Sequence, residues 1–227
     1  MADALLVPLP GQARGLCAGI DEVGRGCLAG PVVAAAVILP ERFALEGLTD
    51  SKKLSAKKRE QLARQIKAGC LAWAIGLVGQ RTIDRINILQ ATLMAMSMAC
   101  ARLRKAPQAL MIDGNKTVPE HLLARFWRRH HTEALPRQRA IVKGDASVAA
   151  ISAASILAKT YRDSLMQALA KRWPEYGFER HVGYGSALHL RMLAAHGPCP
   201  LHRRTFRGVL PKKPDEHERS LLRSLVE

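Results

Sequence analysis

Three short apolar runs in this chain each stop at a carboxylate, and that repetition constrains the fold more than any other feature. Leu16-Cys17-Ala18-Gly19-Ile20 runs into Asp21-Glu22, and Ala109-Leu110-Met111-Ile112 runs into Asp113-Gly114. Ala140-Ile141-Val142 leads to Lys143-Gly144-Asp145. Apolar runs of this length read as buried strands. If such strands neighbour one another, their ends bring the closing carboxylates within metal-ligand range.

The intervening pattern predicts α/β organisation. Val32 to Leu39, between Pro31 and Pro40, reads as a strand antiparallel to the first across the Gly24 to Gly30 loop. Ser55 is placed to cap a helix that runs through Leu62 and Ile66 to Gly69, with a strand from Leu71 to Val78 behind it. Ile83, Ile86, Leu89, Leu93 and Met96 recur at helical spacing, which predicts a helix from Thr82 to about Lys105 facing a sheet. Val148 to about Lys171 predicts a second long helix, ended by Trp173-Pro174. Beyond it, glycines and prolines punctuate a looser region with one short helix near 186–195. The alternation implies one α/β domain with a mixed sheet. A short extension at 1–14 and a polar tail at 209–227 flank a domain at 15–208.

Charge narrows the partner. The 227 residues carry 35 Lys+Arg against 19 Asp+Glu, a net +16, with a sequence pI near 10.3. That balance favours a polyanion, nucleic acid first, over an acidic small molecule. The five cysteines are odd in number, lack Cys-x-x-Cys spacing and sit mostly in apolar segments, which fits a reducing compartment. The first ten residues have no basic stretch before their short apolar one, and no apolar run approaches the ~18 residues that span a bilayer. The expectation is a soluble cytoplasmic protein with no membrane partner.

Adjacent residues on a strand point to opposite faces, so Asp21 and Glu22 would converge on one ion only at a strand end. An isolated Asp-Glu pair is more often an ordinary solvated strand end. The repetition at Asp113 and Asp145 shifts the balance, because clustered carboxylates repel unless a cation joins them. Oxygen ligands of this kind suit Mg²⁺ or Mn²⁺, and several of them can hold two ions about 4 Å apart for phosphodiester chemistry. Gly24-Arg25-Gly26, directly after the pair, lets a phosphate backbone approach beside an arginine. Lys52 and Lys53, with Lys57, Lys58 and Arg59 behind them, form a cluster suited to phosphate contacts; Arg203 and Arg204 are weaker candidates. His196, Cys199 and His202 are spaced by three, but three ligands flanked by Pro198 and Pro200 make a poor zinc site. Asp163, in the middle of the second long helix, reads as a salt-bridge partner.

The chain resembles the ribonuclease HII family, the type 2 ribonucleases H. The matching segments are Gly19-Ile20-Asp21-Glu22-Val23-Gly24-Arg25-Gly26, Asp50-Ser51-Lys52-Lys53-Leu54, Ile112-Asp113-Gly114-Asn115, Lys143-Gly144-Asp145 with the run from Ile151 to Lys159, and His181-Val182-Gly183-Tyr184-Gly185. They keep the family's order over roughly 15–208. The resemblance implies a ribonuclease H-like fold with a mixed five-stranded sheet flanked by helices and a small helical C-terminal region. It implies a monomeric endonuclease that cuts RNA paired to DNA, and 5′ of ribonucleotides embedded in duplex DNA, leaving a 3′-hydroxyl and a 5′-phosphate. Asp21, Glu22, Asp113 and Asp145 would be catalytic metal ligands for two Mg²⁺ or Mn²⁺ ions. Gly24, Arg25 and Gly26 would sense the 2′-hydroxyl, Tyr184 would stack on the adjoining deoxyribose, and Lys52 and Lys53 would contact the substrate.

Cys27 departs from the family, where proline usually follows Gly-Arg-Gly, and the basic stretch Arg125 to His131 is longer than expected between these motifs. Two other readings stay open on the residues alone: a non-catalytic basic nucleic-acid binder, and a nuclease of similar fold directed at DNA.

Overall fold

The computed structural model describes residues 15–43, 45, 48 and 54–210. Strand β1 (Cys17–Val23) leads through the glycine loop into β2 (Val32–Ile38), and helix α1 (Ala56–Gly69) precedes β3 (Ala72–Val78). Helix α2 (Gln80–Ala101), β4 (Ala109–Asp113), α3 (Glu120–Trp127) and β5 (Arg137–Ile141) follow. A single turn of helix, α4 (Gly144–Ser147), then opens onto α5 (Ala149–Ala170), with α6 (Phe178–His181) and α7 (Ala187–His196) completing the order.

The sheet order is β3-β2-β1-β4-β5. β2 pairs antiparallel with both β1 and β3, while β1, β4 and β5 run parallel. This is the mixed five-stranded sheet the sequence predicts. Its consequence for function is direct: parallel strands end at the same edge, so the acids near the ends of β1 and β4 and just after β5 are delivered to one side of the sheet.

Interior strand β2 is buried along its whole length, because helices cover both faces. Ala34 and Ala36 pack with α2 residues such as Ala95 and Ala99, whereas Val33, Ala35 and Val37 pack with Leu62 and Ile66 of α1 and Ala154 and Leu157 of α5. Small residues let α5 lie close on β1. A Cβ on Gly19 would collide with the backbone of Ala150, so this position tolerates glycine alone. A third cluster around Met166, Tyr176, Phe178 and Leu193 supports the C-terminal helical region.

Several boundaries differ from the sequence expectation. β1 continues through Glu22 to Val23, paired with β2 to its end, so the acidic pair lies within the strand. β5 begins at Arg137 and stops at Ile141, leaving Val142 outside it and 69% exposed. Asp145 therefore stands on α4 and not on a strand end. Helix α2 starts earlier and ends earlier than predicted, and it is broken at Asn87, whose φ of 67° is left-handed and whose Oδ1 accepts from the Gln90 N–H at 3.1 Å. Asparagine there acts as an internal cap that restarts the helix. Part of the basic stretch is amphipathic α3, which buries Leu123 and Trp127. Ser55 does cap α1, accepting from Lys58 N–H at 3.3 Å. Among the described residues, no helix is long and apolar enough to cross a membrane.

Candidate active site

The register sends Asp21 and Glu22 to opposite faces of β1. Asp21 pairs with Ala35 on the α5 face and Glu22 with Ala34 on the α2 face. Pairing of β1 with β4 ends at Ile20↔Ile112, so Asp21 and Asp113 are the next residues along two adjacent parallel strands. Asp113 in turn reaches the β5 side, where its Oδ1 accepts from the Asp145 backbone N–H at 3.3 Å. Ser152 fixes that turn from below: its hydroxyl donates to the Asp145 carbonyl at 2.5 Å.

Electrostatics show that these acids feel one another. Asp21 is only 6% exposed. Burial, and then the charges of Glu22 and Asp113, push its pKa up to about 8, against hydrogen bonds from Ser155 and the Glu22 N–H that lower it. The Glu22 N–H donates to Asp21 Oδ1 at 2.7 Å. The Glu22 carboxyl is also raised, by burial first and by Asp113, while Arg25 opposes the shift. Arg25 Nη1 lies 3.2 Å from Glu22 Oε1. Among the described residues no three His, Cys, Asp or Glu side chains converge as a ready metal cage. The reason is visible: Glu22 is turned to Arg25, and the pair on β1 leaves by opposite faces. The donor types nevertheless suit a hard divalent cation, and a buried acid pushed up by two acidic neighbours is the condition such a cation relieves.

A cavity of about 130 Å³ lies beside these groups, lined by Glu22, Arg25, Asp113, Asn115 and Lys116 among others. A larger cleft, about 680 Å³, lies between the C-termini of α2 and α3, where Lys105, Arg128 and Arg129 meet a single acid, Glu133. None of the four candidate carboxylates borders it.

The neighbouring loops meet the same edge. Arg25 and Gly26 are exposed, while Gly24, with a φ of 90°, is buried against the Arg162 guanidinium. Tyr184 is 42% exposed and shares a side-chain hydrogen bond with Cys27. Lys159 Nζ stands 5.7 Å from the Tyr184 ring centre. Leu28 and Ala29 N–H groups donate to Gly183 O at 2.8 and 3.3 Å, joining the glycine loop to the tyrosine loop. Lys52 and Lys53, with Asp50 and Ser51 before them, lie outside the described residues.

Two sequence expectations change here. Arg203 is not a phosphate contact, because it is fully buried beneath the glycine loop. Arg59 is engaged internally, with Leu54 O at 2.9 Å and Asp163 at 3.4 Å, leaving exposed Lys57 and Lys58 as the cations of that turn. His202 faces His189, with their Nε2 atoms 3.0 Å apart, and not a zinc site. Asp163 pairs with Lys159 at 2.8 Å, as a salt-bridge residue should. Arg162 and Arg203 are the residues that sequence reasoning missed as structural elements of the site, since arginine on a basic chain reads as surface.

The comparisons with known proteins agree with one another. A family model described as ribonuclease HII matches residues 18–209. The ribonuclease HII of Nitratidesulfovibrio vulgaris is 59% identical over 90% of this chain and 91% of its own length. That of Pelodictyon phaeoclathratiforme is 50% identical over 86% of the chain and 91% of its own length. Among solved structures, the ribonuclease H2 of Pyrococcus horikoshii superposes with a TM-score of 0.68 at 27% identity, over 86% of this chain and 95% of that one.

Proposed function

The chain belongs to the ribonuclease HII family and is a ribonuclease, and on that premise we propose that it cuts the RNA strand of RNA–DNA hybrids and duplex DNA 5′ of embedded ribonucleotides. The products are a 3′-hydroxyl and a 5′-phosphate. The observation that supports the reading is the parallel run of β1, β4 and β5, which carries Asp21-Glu22, Asp113 and the Asp145 turn toward one edge of the sheet, with Asp113 Oδ1 accepting from the Asp145 N–H.

Asp21, Glu22, Asp113 and Asp145 are the residues that would hold two divalent ions, Mg²⁺ or Mn²⁺. When bound, such ions polarise an attacking water and stabilise the leaving oxygen of an in-line displacement. The protein's own contribution is placement. Asp113 stands between the β1 acids and the α4 turn, and the turn is held by Ser152, so the carboxyl group that α4 presents has a fixed backbone. Glu22 would hold an ion in place of its present partner Arg25, whose half-exposed guanidinium is suited to a phosphate.

Specificity comes from the loops. The backbone of Gly24, Arg25 and Gly26 meets the 2′-hydroxyl that separates RNA from DNA, and the exposed Tyr184 ring packs on the deoxyribose next to it, where an added hydroxyl would not fit. Lys57 and Lys58, with Lys52 and Lys53 by motif position, supply sequence-independent phosphate contacts whose strength falls with salt.

The test is a paired assay. An all-DNA duplex and the same duplex with one ribonucleotide are incubated with Mg²⁺, with Mn²⁺ and with chelator. Metal-dependent cutting on the 5′ side of the ribonucleotide alone supports the reading, whereas equal cutting of both duplexes points to a DNA nuclease.

A further inference from the structure

Two arginines lie wholly inside the protein. Arg162 on α5 and Arg203 beyond α7 are both 0% exposed, and among the described residues neither has an ion-pair partner. A buried guanidinium without a carboxylate is costly unless its donors are satisfied. Here the donors go to backbone carbonyls. Arg203 donates from Nη2 to Gly24 O at 2.6 Å, from Nη1 to Arg25 O at 2.8 Å and from Nε to Gly30 O at 3.0 Å. Arg162 donates from Nε to Pro31 O and from Nη2 to Ala29 O, both at 3.0 Å, and from Nη1 to Val182 O at 2.8 Å.

Five of the six carbonyls belong to the glycine loop, and the sixth precedes Gly183-Tyr184. Their direction matters. In a trans peptide the C=O and the following N–H point opposite ways, and the described chain has no cis peptide. Turning the Gly24 and Arg25 carbonyls inward onto Arg203 therefore turns the Arg25 and Gly26 N–H groups outward. Those two residues are exposed, and the space beside Gly26 is open.

We propose that Arg162 and Arg203 are positioning residues for ribose recognition: together they fix the outward presentation of the Arg25 and Gly26 amides and the distance from them to Tyr184. Arg203 sets the amides. Arg162 ties the loop to the tyrosine segment, since one guanidinium bonds both Ala29 O and Val182 O. The ligand class is a nucleotide 2′-hydroxyl, which accepts from a correctly aimed N–H. This rests on the reading of the loop as the ribose sensor given above. Lysine in either place keeps the charge and the stem but offers a single nitrogen that cannot span three carbonyls.

Arg203→Lys and Arg162→Lys test it, with thermal melts as the check on folding. Wild type is expected to cut a run of four ribonucleotides flanked by DNA at one dominant position. In the folded lysine variants the cuts spread to neighbouring positions, and kcat on a single embedded ribonucleotide falls by about a hundredfold while KM moves by less than about threefold. A smaller folded fraction cannot spread the cut positions. If folded variants keep the wild-type position and rate, the proposal fails while the functional reading stands. If both variants lose their cooperative melt, the arginines hold the fold and not the loop, and the proposal also fails. A wild type that ignores ribonucleotides overturns the functional reading itself.

Discussion

Asp113 Oδ1 accepts a hydrogen bond from the backbone N–H of Asp145 at 3.3 Å, so the carboxylate that ends β4 also pins the turn bearing the next acid. Charge and geometry can be separated at this position. Asn in place of Asp113 keeps the accepting oxygen and removes the charge. Asp113→Asn is expected to melt like wild type and bind duplex normally, yet cleave at least about a thousandfold more slowly in single-turnover assays. A normal rate would remove Asp113 from the chemistry.

Ser152 offers a milder perturbation of the same turn. Its hydroxyl bonds to the Asp145 carbonyl, so Ser152→Ala is expected to lower stability by about 1 kcal/mol and to slow cleavage by roughly tenfold. Denaturant melts and initial rates measure the two effects separately.

Divalent ions should stabilise the protein as well as activate it. Binding at a hundred times the dissociation constant adds about 2.7 kcal/mol, several degrees of melting temperature for a domain of this size. The rise on adding Mn²⁺ is expected in wild type and is expected to shrink sharply in Asp21→Asn and Asp113→Asn. An equal rise in all three would place the ion elsewhere.

Gly24 and Gly26 should respond differently to a methyl group. A Cβ on Gly24 runs into the Arg162 guanidinium at a φ of 90°, whereas one on Gly26 meets open space. Gly24→Ala is expected to cost about 2–4 kcal/mol, and Gly26→Ala less than about 0.5 kcal/mol of folding while still impairing ribonucleotide cleavage, because the methyl would stand where the proposed ribose sensor takes the sugar.

Acid should act through the buried histidines. The tautomers that satisfy each bond run from Cys199 N–H to His202 Nδ1 at 3.0 Å, from His202 Nε2 to His189 Nε2 at 3.0 Å, and from His189 Nδ1 to Tyr184 O at 2.8 Å. Burial, with His189 and His181 beside it, lowers the His202 pKa from 6.5 to about 4. The folded state thus binds fewer protons than the unfolded one between those values, so the stability held above pH 6.5 is lost as pH falls toward 4. The difference in melting temperature between wild type and His202→Gln is expected to narrow across that window. A constant difference would contradict it.

Much of the architecture was legible from sequence because hydrophobic period and punctuation agree locally: β2 between two prolines, α1 from its Ser55 cap, α5 from its run of small apolar residues. The carboxylates that close β1 and β4 were legible for the same reason. Of β5 only the end at Ala140-Ile141 was legible, since Arg137-Gln138-Arg139 on an edge strand carries no apolar alternation and is fixed by pairing with β4. The break at Asn87 depends on a left-handed backbone that periodicity does not encode. Arg203 was read as a surface cation because only the folded loop supplies the three carbonyls that make its burial possible. The histidines at 189 and 202 are distant enough in sequence that nothing but the packing of the C-terminal region pairs them.

The proposed site requires acids from separate stretches of chain to share cations at one sheet edge. Diffraction at the manganese edge from crystals soaked in Mn²⁺ tests this most directly. Anomalous peaks within coordination distance of carboxylate oxygens of Asp21, Glu22, Asp113 and Asp145 are the expected result, and manganese bound only at other residues would contradict it.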